Sequence, residues 1–214
     1  MKDHIPEQRE GKALDYFKSV DFSSPIQSNE FFEEAKAKLF DVNNWHQIAQ
    51  IPSAVFAILD QTSHKLDRPI QEGDFIRIDI PGPGLPSAKG YDWVQVEEIL
   101  EEQQHEMKRL TLTLRPCADP IQENTDTAHF FKRIATSSIL IEQQARRLFF
   151  HYAGRNEVVN TDNTSMLDNF RNFMVGLTAK IGASFPQWKA LIDGLADTAN
   201  IQLPDKITEK EQDY

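Results

Sequence analysis

Between residues 53 and 158 the chain runs through a succession of short β-type segments joined by links that are polar, turn-prone and marked by Pro and Gly. Ile76, Ile78 and Ile80 alternate with Phe75, Arg77 and Asp79, and Leu110, Leu112 and Leu114 alternate with Thr111, Thr113 and Arg115. A period of two puts alternate side chains on opposite faces of a strand. Segments at Ser53–Asp60, Asp74–Ile80, Tyr91–Ile99, Met107–Arg115, His129–Glu142 and Arg146–Val158 give about six strands. The links carry no helical periodicity, so consecutive strands pair antiparallel and not through crossover helices. Pro81-Gly82-Pro83-Gly84 resembles a phosphate loop only in composition. Its prolines remove backbone donors and another strand follows, so it reads as a rigid connection.

Helices flank this run. Ser28 or Asn29 caps a first helix in which Phe31, Ala35 and Leu39 recur at helical spacing, ended by Asp41-Val42-Asn43-Asn44. Met166, Phe170, Phe173, Leu177 and Ile181 predict an amphipathic helix from Thr164 or Ser165 to about Ile181. Pro186 opens an extra C-terminal helix with Trp188, Leu191, Ile192 and Leu195 on one face. The expected fold is α+β, an antiparallel sheet packed on the amphipathic C-terminal helix. Residues 1–27 read as a loosely attached arm docking through Leu14, Tyr16, Phe17, Val20 and Phe22. Residues 28–200 form a single domain and 201–214 a polar tail.

Composition narrows the function. Lys plus Arg number 23 against 33 Asp plus Glu, a net charge of −10, which argues against binding a nucleic-acid backbone. Hydrophobic residues are 40% of the chain, enough for a core, yet no apolar run approaches the roughly 18 residues of a membrane span. The N-terminal stretch is charged and lacks a secretory h-region, and Cys117 is the single cysteine, so a reducing cytoplasm is the expected compartment.

The order of elements resembles the helix-grip arrangement of the START-like (Bet v 1-like) superfamily, in which a curved antiparallel sheet wraps a C-terminal helix. The likeness spans roughly residues 28–182, and Asn44-Trp45 after the first helix is loosely like an early tryptophan of that superfamily. The resemblance implies a cavity for an apolar small molecule and, in some members, catalysis. It transfers no role to any residue here.

Few residues suggest chemistry. His46, His64, His105, His129 and His151 show no metal-ligand spacing, so no metal and no cofactor is expected. Cys117 has an acid nearby at Asp119, and Ser137-Ser138 lacks a nucleophile elbow. Asp74, Asp79 and Asp92 invite an acid–base pair, against which a same-face ion pair of Asp79 with Arg77 is the plainer account. Gly154-Arg155-Asn156-Glu157 is a dense polar cluster closing an aromatic strand, against which a β-bulge or turn at Gly154 followed by solvated charges is the plainer account. The aromatics are the most suggestive feature, since Phe149-Phe150 and Phe130-Phe131 put rings on both faces of a sheet. The leading expectation is a small apolar or amphipathic ligand held between sheet and helix, with Arg77, Asp79, Trp93, His151, Arg155 and Glu157 as candidate binding residues. A structural or interaction protein that docks a partner, or a second copy of itself, through an aromatic sheet face is the alternative. An enzyme using Arg155, Glu157, His151 and Asp79 ranks third, because no recognisable catalytic motif supports it.

Overall fold

The computed structural model describes residues 4–50, 55–79, 91–105, 107–121, 127, 129, 131–160 and 186–199. Its elements are β1 (Lys12–Asp21), α1 (Pro25–Phe40), a 3-10 turn (Val42–Asn44), α2 (Trp45–Ile48), β2 (Val55–Leu59), β3 (Phe75–Asp79), β4 (Tyr91–Gln104), β5 (Met107–Pro116), β6 (Thr136–Gln144), β7 (Arg147–Glu157) and α3 (Pro186–Leu195). The strands form one antiparallel sheet in the order β1-β7-β6-β5-β4-β3-β2. The α+β class stands as expected, and the sheet has seven strands in place of about six.

The additional strand is β1, in the segment expected to be a loose arm. Leu14, Tyr16 and Val20 do alternate inward, but Lys18 interrupts the apolar pattern on that face. Lys18 is accommodated there because its ammonium meets Asp193 of α3 at 2.9 Å, beside the Tyr16 hydroxyl that donates to the same carboxylate at 2.8 Å. Phe22, just after β1, is fully buried.

The first helix begins one turn earlier than Ser28. Ser24 is its N-cap, accepting from the Gln27 amide at 3.2 Å, with Pro25 in the first turn, where a missing amide costs nothing. Ser28 is instead buried, donating to the Ala145 carbonyl at 2.7 Å and so pinning α1 to the β6–β7 turn. β4 continues past Ile99, the expected end of the strand, and reaches Gln104. β6 starts at Thr136, later than His129. The His129 ring is held before the strand by the Phe131 amide, which donates to its Nδ1 at 2.9 Å, and burial pushes the imidazole down to about 4.

The sheet is strongly curled. Phe56 on β2 and Tyr152 on β7 are five strands apart, about 24 Å in a flat sheet. Both rings nevertheless contact Trp188, with centroids at 6.2 and 5.3 Å. Trp45, completely buried, joins the same cluster at 6.2 Å from Trp188 while its indole N–H donates to the Leu39 carbonyl at 3.0 Å. The helix expected to be an extra is therefore one that plugs the concave face. The helix expected at 164–181 lies outside the described residues. Gly194 lets α3 approach α2 closely, since a Cβ there would overlap the Ile48 backbone. The convex face carries a smaller cluster, Leu59, Trp93, Phe131 and Ala135.

Candidate functional site

Strand β7 shows how the site is built. Residues of even number, Phe150, Tyr152 and Gly154, face the concave side, and His151, Ala153 and Arg155 face the convex side. Strict alternation would send Glu157 to the convex side as well. It does not, because Asn156 takes a left-handed backbone, φ +54°, and inserts a bulge. Two steps along β1, from Leu14 to Lys12, match three along β7, from Gly154 to Glu157, so Glu157 returns to the face of Gly154. Asparagine tolerates this conformation better than most residues. It is also clamped: its Oδ1 accepts from the Arg9 amide at 2.7 Å and its Nδ2 donates to the Glu7 carbonyl at 2.9 Å.

The Glu157 carboxylate then lies over Gly154. A Cβ on Gly154 would overlap Oε1 and stand 3.3 Å from the Tyr152 hydroxyl. Tyr152 Oη in turn shares a hydrogen bond of 3.0 Å with Ser137 Oγ, on the neighbouring strand opposite Gly154. Glu157 is 5% exposed, and its Oε1 is buried without a hydrogen-bond partner. Burial pushes the carboxyl up to about 7, against the pull of Lys12 and Arg155. Burial, reinforced by Glu157, raises the Tyr152 hydroxyl and keeps it neutral. The face of Tyr152 is covered by Trp188, stacked at an interplanar angle of 13°. The result is a small polar pole, one carboxyl and a hydroxyl pair, at the end of an aromatic wall.

The six residues singled out from the sequence do not converge. Arg77, Asp79 and Trp93 lie on the convex side of β3 and β4: Arg77 is in register with Trp93 and its guanidinium sits 4.3 Å from the Tyr91 ring, and Asp79 is exposed. Trp93 is buried in the convex cluster. His151 and Arg155 lie on the same face at the far end, both bound to one oxygen of Asp15, at 2.7 and 2.8 Å. Glu157 alone turns inward. The bulge foreseen at Gly154-Arg155-Asn156-Glu157 is present at Asn156, but the last charge is buried and not solvated.

The three aspartates are also dispersed. Asp74 is held bidentately by Arg68 at 2.7 and 2.8 Å. Asp92 pairs across strands with Ile78, on the concave side, and burial of its carboxyl raises it to about 7. Burial pushes the Cys117 thiol up to about 12, the opposite of a reactive cysteine. Among the described residues no group of acids, histidines and cysteine could hold a metal, and no helix is long and apolar enough to cross a membrane. Sequence reasoning missed Tyr152, Ser137 and Gly154 as neighbours of Glu157. The available signals were the Gly-x-Asn spacing, which warns of a bulge, and the parity of Tyr152 with Gly154.

No family model matches the sequence, and no curated protein matches it. Similar solved structures include the major latex-like protein 151 of Panax ginseng, at 11% identity and a TM-score of 0.36, covering 80% of this chain and 96% of that one. Norcoclaurine synthase from Thalictrum flavum, in truncated form, is 8% identical with a TM-score of 0.36, covering 89% and 95%. Protein Ms6760 from Mycobacterium smegmatis is 11% identical with a TM-score of 0.39, covering 85% and 88%. Among the described residues the order of elements, one strand, two helices, six further antiparallel strands and a late helix held against the concave face, resembles the START-like, Bet v 1-like superfamily.

Proposed function

We propose that the protein binds a small amphipathic molecule between the concave sheet face and the helices, its polar end at Glu157, Tyr152 and Ser137. One observation carries the reading. The Glu157 Oε1 is buried without a hydrogen-bond partner, on the sheet face that carries Phe56 and Tyr152 and meets Trp45 and Trp188 of the helices. Buried polar atoms in folded proteins almost always have partners, so an orphan carboxylate oxygen beside a hydroxyl pair supports a reading in which a ligand's polar end reaches it. Of the six residues singled out from sequence, Glu157 is the one this reading keeps in contact with the ligand. Arg155 and His151 support it from behind by tying β1 to β7 through Asp15. The half-buried thiol of the lone Cys117 suits a reducing, cytoplasmic setting.

Native mass spectrometry of freshly purified protein, repeated after denaturing extraction, tests the reading. The expected result is a reproducible extra mass that extraction releases. An apo mass that stays apo after incubation with cell extract overturns it. The competing reading is self-association through the convex face, favoured by Phe17 on edge strand β1, which is 66% exposed and stacked on His151 at 3.9 Å. It predicts an apo dimer that Phe17→Ser returns to monomer in sedimentation.

A further inference from the structure

We propose that this site selects a ligand with a basic nitrogen, an alkyl or arylalkyl amine, and discriminates against one ending in a carboxylate. The inference rests on the ligand-binding reading above and adds the chemistry of the polar end.

An ionised carboxylate only accepts hydrogen bonds, and Oε1 is buried without a donor. The group that completes it must therefore bring an N–H or O–H. Tyr152 and Ser137 spend one hydroxyl proton on each other, which leaves that pair with one proton to donate and lone pairs to accept with. An ammonium group, with three donors and a charge, can serve the carboxylate and the hydroxyl oxygens together.

The charges around the site favour the same class. Lys12, in register with Glu157 across the β1–β7 pair, is exposed, so its charge is spent largely on water. Arg155 is turned to the convex face, where it donates to Asp15, to the Leu14 carbonyl and to the Gly154 carbonyl. Tyr152 is neutral. A ligand carboxylate would meet Glu157 at close range, with only the exposed Lys12 and the Arg155 turned to the opposite face to offset the repulsion. Gly154 contributes by absence: any side chain there would occupy the space the Glu157 carboxylate uses.

Proton balance gives a signature that a structural role would not produce. Burial holds part of the Glu157 population protonated near neutral pH. Seating an ammonium requires the carboxylate, so binding releases the Glu157 proton to solvent. Amine affinity therefore rises as pH climbs from 6 to 8, where an alkylammonium remains charged.

The test compares decylamine, decanol and decanoate by isothermal titration calorimetry on the full chain and on Glu157→Gln. At pH 8 the amine is expected to bind about ten-fold tighter than the alcohol, and the acid weakest. In E157Q the gap between amine and alcohol collapses, which separates the site from general attraction to a chain of net charge −10. In the unmutated protein the amine-to-alcohol ratio grows between pH 6 and pH 8. Decanoate binding as tightly as decylamine, or a ratio unaltered by pH, overturns the amine inference and leaves an amphipathic ligand standing. Failure of all three probes to bind overturns the ligand-binding reading and the inference together.

Discussion

Asp15 and Glu157 sit at the same end of the sheet, on paired strands and opposite faces, and their surroundings drive them in opposite directions. Burial alone would raise Asp15, but Arg155 and His151 both bind its Oδ1 and hold its carboxyl below the ordinary value of 3.8. Burial raises Glu157 to about 7, and no donor reaches its Oε1 to counter it. Burial and the supply of donors both separate the two: Asp15 is exposed and bonded twice, whereas Glu157 is buried and its Oε1 has no donor. The convex carboxylate is a finished piece of structure that fastens β1 to β7. The concave one is left incomplete, and the parity shift at Asn156 assigns it to the concave face.

The largest expected effect tests whether α3 seals the concave side. Trp188→Ala removes a ring wedged among Trp45, Phe56 and Tyr152, and should cost about 3–5 kcal/mol in urea denaturation. A loss below about 1 kcal/mol would show that α3 is not the plug. Next comes Glu157→Gln. A carboxyl whose folded value is raised from 4.5 to about 7 lets the folded state keep a proton that the unfolded chain gives up. The unmutated protein thus loses stability as pH rises through that window. At about 1.4 kcal/mol per pH unit, discounted for residual solvent, the glutamine variant should be roughly 2–3 kcal/mol more stable at pH 8. The two proteins should match near pH 4. Asp15→Asn has the opposite sign and a smaller size. A lowered acid stabilises above its unfolded value and loses that contribution as pH falls, so the variant should cost about 1 kcal/mol at pH 7 and nothing near pH 2. Equal pH profiles for the Glu157 and Asp15 variants would abolish the contrast between the faces.

Much of this architecture is legible in the chain because alternation is a local property. Leu110, Leu112 and Leu114 announce β5, and Ile76 and Ile78 announce β3, whatever the rest of the fold does. β1 is harder, because Lys18 looks outward in sequence and is an inward residue satisfied by Asp193, far along the chain. Trp188 falls on the expected helix face, yet which sheet face receives it depends on the close approach that Gly194 allows. The site fails for a sharper reason. Period-two counting puts His151, Arg155 and Glu157 together, and one left-handed residue, Asn156, moves the last of them to the opposite face. A single insertion in a strand changes the face of everything after it. The clamp that fixes this bulge comes from residues 7–10, a contact that no local pattern encodes.

Gly154→Ala gives the smallest change in stability and the sharpest test of what seats the carboxylate. Gly154 lies in ordinary strand backbone, so an alanine is not strained there, and the atom it strikes is the free end of a flexible side chain. Near pH 4, where the carboxyl is protonated in the folded and the unfolded chain alike, the fold should shift by less than about 1 kcal/mol, because the methyl fills the space that Glu157 vacates. The carboxylate itself cannot stay. Driven off Gly154 and away from the Tyr152 hydroxyl, it turns toward water, and its titration should fall from about 7 back toward 4.5. Carbon-13 NMR of the glutamate carboxyls follows this directly, with E157Q identifying the resonance. If Glu157 still titrates near 7 in the alanine variant, the glycine is not what holds it in the buried pole, and the bulge at Asn156 must do so by itself. If the value falls while stability holds, the folded protein tolerates losing this pole, and the unpaired oxygen is there for something other than the fold.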